Sequence, residues 1–305
     1  MVTHGTDASF EYAVQEIGCQ AAPLLDRPGA GCVSALFDSS FYIEIEDGLV
    51  CLGHTEMHTS SLNLVTNVPA SVHWSASGLR TGDPVWISAD RLRVGNRFVF
   101  GTDTATQWSP NPIPTTWTTA SLKAGLDLAS EIGERLAPNE GLGRFIQTPR
   151  PQFDRLTVCA HAAAPIDGFY HWLSNMHPGP DWPPGLLGLG PGLTPSGDDF
   201  IGGMMIAFHG IGNGRTAEKI WRAVKPHAAN MTNAISRAHL QSAAEGYGSA
   251  ALHHALAAIL CGRTKDIRLA MIGAAAIGHT SGWDALAGAV VACQAWQAWQ
   301  AWQPT

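Results

Sequence analysis

The chain changes character at Ser109-Pro110-Asn111-Pro112-Ile113-Pro114, where closely spaced prolines deny the backbone both a helical turn and a ladder donor. Before this linker the apolar residues come in short alternating runs: Phe41-Tyr42-Ile43-Glu44-Ile45, Leu49-Val50-Cys51-Leu52, Ser71-Val72-His73-Trp74, Pro84-Val85-Trp86-Ile87 and Arg97-Phe98-Val99-Phe100. Turn signals separate them at Glu46-Asp47-Gly48, Ser77-Gly78, Thr81-Gly82-Asp83 and Gly95-Asn96. After the linker the spacing becomes helical and the composition small. Helices are expected over 120–137, 166–176, 197–211, 217–224, 232–244, 249–260, 265–277 and 282–302. The expected class is therefore α+β. A β-rich domain over 1–110, a small antiparallel barrel or sandwich, is followed by an Ala/Gly-rich α-helical domain over 111–305 that carries a glycine-rich ligand loop.

With 45% hydrophobic and 14% charged residues among 305, the chain is too apolar to be disordered and long enough for a sizeable core. A net charge of −7, with no Lys/Arg cluster, lacks the basic footprint of a nucleic-acid binder. The start, Met1 to Asp7, reads as no secretory signal. The stretch 269–293 is apolar, but His279, Ser281 and Asp284 interrupt it, which argues against a membrane span. The cysteines (Cys19, Cys32, Cys51, Cys159, Cys261, Cys293) form no Cys-x-x-Cys pair, and scattered thiols of this kind suit a reducing cytoplasm. His54 and His58 stand four apart, a metal-ligand spacing on a helix only; their segment reads as a loop or strand end, so no metal set is assigned.

Chemistry concentrates in Gly188-Leu-Gly-Pro-Gly-Leu-Thr-Pro-Ser-Gly-Asp-Asp-Phe-Ile-Gly-Gly203. Gly188, Gly190 and Gly192 permit positive φ and close approach to a ligand. Thr194-Pro195-Ser196 ends the loop, with Ser196 expected as a helix N-cap and Asp199 at capping-box spacing from it. Gly202 and Gly203 cost the helix about 1 kcal/mol each relative to Ala, so close packing against its first turns is expected. A capped helix after a glycine-rich loop is the plain structural reading; three glycines, two prolines and paired carboxylates together favour a site. The spacing fits neither a dinucleotide fingerprint nor a Gly-Lys-Ser/Thr phosphate loop.

Gly278-His279-Thr280-Ser281-Gly282-Trp283-Asp284-Ala285-Leu286-Ala287-Gly288 repeats the code: both passages contain Ser-Gly-x-Asp-x-x-x-Gly. Two helix starts with one code are expected to face one ligand. Gly190, Gly192, Thr194, Ser196 and Gly197 would line it from the first, and Thr280, Ser281, Gly282 and Asp284 from the second. Backbone N–H groups and dipole ends would converge there on an anion. Asp198, Asp199 and His279 are the candidate catalytic residues, His279 as donor or proton carrier. Paired carboxylates repel a bare phosphate, so either a divalent cation such as Mg bridges them or they meet a nitrogen donor such as an amide NH2. Of the two Asp, one is assigned a general-base or nitrogen-binding role and the other a capping role. Ser236 joins the lining set from the segment Thr232 to Ala244, where Thr232, Ser236 and His239 share a helical face. The tail repeats Ala-Trp-Gln three times from Ala295, which reads either as a partner-docking face or as a fraying extension.

The Gly192-Leu-Thr-Pro-Ser-Gly-Asp-Asp199 signature, the later Ser-Gly-x-Asp and the Thr232/Ser236 segment resemble the AllH-type subunit family of oxamate carbamoyltransferase, over roughly the C-terminal two-thirds. The resemblance implies a cytoplasmic, multi-subunit carbamoyltransferase of anaerobic allantoin and purine breakdown. It implies carbamoyl transfer between carbamoyl phosphate and oxamate, giving oxalurate and phosphate, with further subunits as partners. It brings no catalytic residue assignment, and no cofactor is assigned beyond the divalent cation, such as Mg, named above as one alternative. Two rival classes stand beside it: a non-catalytic subunit that binds a small anion, and a small-amide hydrolase.

Overall fold

The computed structural model describes residues 10–46, 48–175 and 180–302. Met1–Asp7, Asp47 of the 46–48 turn, Met176 and Gln303 therefore lie outside the described residues. Two compact units divide the chain, Met1–Ser109 and Pro110–Thr305.

The first unit is a strand barrel. Its strands are β1 (Phe10–Gly18), β2 (Gly29–Leu36), β3 (Ser40–Ile45), β4 (Gly48–Gly53), β5 (Asn63–Thr66), β6 (Pro84–Ile87), β7 (Arg91–Val94), β8 (Phe98–Gly101) and β9 (Thr106–Trp108), with a short helix α1 (Ala22–Leu25) after β1. They run in the order β5-β4-β3-β2-β6-β7-β8-β1-β9, and β1 also pairs with β5, which closes an eight-stranded ring and leaves β9 as an addition. Closure removes free strand edges. β1 performs it by changing partners along its length. Phe10–Ala13 lies parallel to β8, Glu16–Gly18 parallel to β9, and a bulge between Val14 and Glu16 shifts its antiparallel register on β5. The β4–β5 pair is parallel too.

The segment 71–74 is not a strand. The Trp74 N–H is donated to the Asp38 carbonyl, 2.9 Å away, and the chain turns through a 3₁₀ helix at Trp74–Ala76. The fully buried indole then fills the barrel interior against Phe41, Phe98 and Phe100, at ring distances of 4.9, 5.5 and 6.2 Å. His54 and His58 fall on the loop after β4, so helical ligand spacing does not apply to them.

The second unit contains α2 (Thr119–Leu136), α3 (Val158–Asn175), α4 (Ser196–Gly210), α5 (Gly214–Met231), α6 (Ala234–Ala244), α7 (Ala250–Leu260), α8 (Thr264–Ala275) and α9 (Ser281–Trp302). α2 starts from a capping box between Thr118 and Ser121. The Asn233 and Ser249 side chains cap α6 and α7. α3 begins eight residues earlier than the sequence suggests, because it carries Pro165 inside the helix with its ring against Gly185. α4 is apolar around most of its circumference; Phe200, Ile201, Met204, Met205, Ala207 and Phe208 are all buried, the mark of a central helix. α9 is buried through Leu286–Cys293 and crosses α4 at close quarters.

Glycine sets that closeness. A methyl group on Gly203 would collide with the Ala285 carbonyl, and one on Gly288 with the Phe200 carbonyl. Ala285 and Phe200 occupy the same place in the two Ser-Gly-x-Asp-x-x-x-Gly motifs, so each helix sets its motif glycine on the other's equivalent carbonyl. The helix continues through the Ala-Trp-Gln repeats to Trp302. Trp296 packs edge-on against Trp117 at 5.5 Å, and the Gln297 amide donates to the Thr119 carbonyl, so this part of the tail belongs to the unit's own packing.

Candidate functional site: the junction of two helix starts

The two motifs meet. Thr194 Oγ1 and Ser281 Oγ are 2.9 Å apart. The hydroxyls of Ser281 and Thr194 both stand beside the Asp199 carboxyl and favour its charged form; those of Ser196 and Thr280 do the same for Asp284. Each motif's carboxyl thus sits among hydroxyls that include the other motif's serine. The first glycine of each code is also packed on a carbonyl: Gly197 is pressed against that of Leu186 and Gly282 against that of Ala274.

The capping arrangement differs from the expected one. Ser196 is the first helical residue, Pro195 holds the N-cap position, and no side chain caps α4. Proline fixes its own φ at −56°, and its carbonyl accepts the N–H groups of Asp198 and Asp199 at 2.9 and 3.1 Å. The Gly197 N–H goes to the Leu189 carbonyl, that of Gly282 to Ile277, and that of Asp284 to Thr280. These first-turn donors are the ones an anion cradle would use, and local carbonyls already occupy them. Gly188, Gly190 and Gly192 do adopt positive φ (74°, 105° and 110°), as the loop requires. Gly188 lies against the Met231 carbonyl, and Gly190 lies against Ser196.

The adjacent aspartates have opposite environments. Asp198 is buried and saturated. Its Oδ1 accepts the Gly188 N–H at 2.7 Å, while its Oδ2 accepts the Ser236 hydroxyl at 2.6 Å and the Thr232 hydroxyl as well. It therefore ties the loop and the start of α6 to α4. Thr232 does so from the end of α5 and not from α6 itself. Asn233 adds a second tie, its amide donating to the Leu193 carbonyl at 2.6 Å. Arg237, half-buried, reaches the Thr232 carbonyl at 3.5 Å, next to this knot.

Asp199 is half-buried as a residue, yet its Oδ2 is shielded from water and has no hydrogen-bond partner. Burial pushes its carboxyl well above the usual carboxylate range; the Thr194 and Ser281 hydroxyls pull it back, and the charges of Asp284 and Asp198 push it up again. Asp284 is fully buried. Its Oδ1 accepts the Leu142 N–H at 2.5 Å, its Oδ2 is unpartnered, and burial raises its carboxyl too. Gly141, at φ 68°, sits so close to this carboxyl that a side chain there would strike it.

His279 stands apart from the carboxyls. It is exposed, with its Nε2 2.5 Å from Glu140 Oε2. Among the described residues no group of three or more His, Cys, Asp or Glu side chains is placed to hold a metal ion, and all six cysteines are free thiols. No helix among them is long and apolar enough to cross a membrane. Glu140, Gly141, Leu142 and Asn233 reach the junction without having stood out in the sequence; the Asn139-Glu140-Gly141 turn was the only local signal for the first three.

No solved structure matches the chain. Residues 186–293 match the family model described as oxamate carbamoyltransferase subunit AllH, a stretch that runs from the carbonyl under Gly197 to the buried end of α9 and includes both helix starts. Over that stretch the chain is similar to the AllH-type family of carbamoyltransferase subunits.

Proposed function

We propose that this chain is a cytoplasmic subunit of an oxamate carbamoyltransferase, with its small anionic ligand bound where α4 and α9 begin. The observation that carries the reading is the reciprocal junction itself, which gathers Asp199, Asp284 and the hydroxyls of Thr194, Ser196, Thr280 and Ser281 from positions far apart in sequence. In the reaction the amide nitrogen of oxamate attacks the carbamoyl carbon. A C–N bond forms, the C–O bond to phosphate breaks, and the nitrogen's proton passes through a base to the departing phosphate. Asp199 is the proposed base. A carboxyl raised by burial is a stronger base than a solvated one, and its position next to a water-shielded atom suits proton transfer. Asp198 serves as the clamp that fixes the loop, since its lone pairs are already engaged. Arg237 is the proposed partner for the oxamate carboxylate, being the guanidinium that reaches the Thr232 side of the knot. Partner subunits supply the remaining groups.

Reconstituted with those subunits, Asp199→Asn is expected to lower oxalurate formation about 100-fold or more, the usual scale for removing a general base, while the chain stays folded. Unchanged turnover would remove Asp199 from the chemistry. A second reading, a binding subunit without catalysis of its own, draws support from His279, which turns to Glu140 and solvent instead of to the carboxyls. Oxamate binding by the chain, with full turnover retained in the Asp199→Asn complex, would favour it.

A further inference from the structure

Two oxygens at the junction have nothing to bond: Asp199 Oδ2 and Asp284 Oδ2. Folded proteins leave few buried polar atoms unpaired. The neighbouring carboxyl shows the contrast, since three donors converge on Asp198. A carboxylate brings no hydrogen to such oxygens. At the helix starts, local carbonyls already hold the N–H groups of Gly197, Asp198, Asp199, Gly282 and Asp284. What the pair lacks is a group offering two N–H donors. Burial raises both carboxyls, and the Asp284 charge raises that of Asp199 further. Carboxylate oxygens accept, and a primary amide brings two N–H donors on one nitrogen.

Resting on the reading that the ligand binds at this junction, we propose that the junction recognises the –CO–NH2 group of its ligand, with Asp199 Oδ2 and Asp284 Oδ2 accepting the two N–H hydrogens of the amide. The anionic end of the ligand then points away from the carboxyls, toward Arg237 and the loop. Both oxygens are covered, so the amide enters by displacing the Thr194–Ser281 hydrogen bond that adjoins Asp199. That bond links two hydroxyls, either of which can rotate away from the other.

The test is calorimetric titration of the full chain with oxamate, with oxalate and with inorganic phosphate. Oxalate keeps the carboxylate and replaces NH2 by oxygen, so it brings no N–H. Sites built around a ligand hydrogen-bonding group reject analogues lacking it by large factors, and oxamate is expected to bind at least about 100-fold more tightly than oxalate. Asp199→Leu, which removes the acceptor at similar volume, is expected to bring oxamate and oxalate to within about threefold of each other. Asp199→Asn keeps an acceptor oxygen and is expected to retain the preference. Thermal unfolding of each variant checks that it is folded, and the wild-type ratio decides the matter even where one is not. Oxalate or phosphate binding as tightly as oxamate overturns the proposal, and so does the lack of oxamate binding at millimolar concentration. Amide-selective binding without oxalurate formation in the assembled complex would sink the transferase reading and leave this one standing. Oxalurate formation with no preference for amide over acid would do the reverse.

Discussion

Asp198 and Asp199 are adjacent in sequence, yet about 100° of helical rotation turns them toward different neighbours. Asp198 meets the hydroxyls of Thr232 and Ser236; Asp199 meets the α9 start. The Ser-Gly-x-Asp code marks the carboxyls as important, but it does not say which is saturated, because the deciding partners lie tens of residues away. The same distance hides the Leu142 N–H that holds Asp284. Asp284 gives the sharpest residue-scale expectation. Burial raises its carboxyl above the ordinary carboxylate range, so the unfolded chain loses the proton at lower pH than the folded one. Its favourable contribution is therefore complete below about pH 4 and is lost as pH rises through the folded-state value. Asparagine keeps a hydrogen at that place and does not titrate. Asp284→Asn is expected to be no more stable than wild type near pH 4, and more stable by about 1–3 kcal/mol at pH 8, where the orphaned charge is relieved. Thermal melts at the two pH values check this; a difference that shrinks as pH rises contradicts it.

At the scale of elements, backbone contact through glycine is what makes the junction possible. Gly203→Ala or Gly288→Ala places a methyl group inside the opposing carbonyl's envelope, and neither backbone has a flexible end to give way. Each is expected to cost about 3 kcal/mol or more, since the helices must separate. Gly273→Ala on α8 has open space around it and is expected to gain about 0.5–1 kcal/mol from helix propensity alone. Chemical denaturation of the three variants reads the contrast directly. The need for close packing was visible in the sequence as Gly202-Gly203 at a helix start, and the partner of Gly203 was visible as the repeated code. Most helices after the linker were equally legible, because their apolar period runs long. The strands were less so. β1 carries a bulge that breaks the two-residue period, and β2 (Gly-Ala-Gly-Cys-Val-Ser-Ala-Leu) has too little polarity contrast to show one. Segment 71–74 had the alternation of a strand, but the indole of Trp74 was needed inside the barrel.

For the whole molecule, the division between compact units falls between Ser109 and Pro110, within the Pro-rich segment 109–114. Each unit closes its own core. The barrel core is built from residues between Val14 and Phe100, and the helical core from residues between Leu122 and Ala295. Both segments exceed the roughly 55–65 residues that suffice for independent folding. Every group assigned to the junction, from Glu140 and Leu142 through Asp198 and Ser236 to Asp284, lies in the second. Residues 110–305 expressed alone are therefore expected to unfold in one cooperative transition and to bind oxamate with the affinity of the full chain, within about threefold. A broad transition with exposed apolar surface would show that the helical core is not self-sufficient. A folded fragment that binds oxamate much more weakly would mean that the barrel contributes to the site, and the ligand would then have to be sought beyond the meeting of α4 and α9.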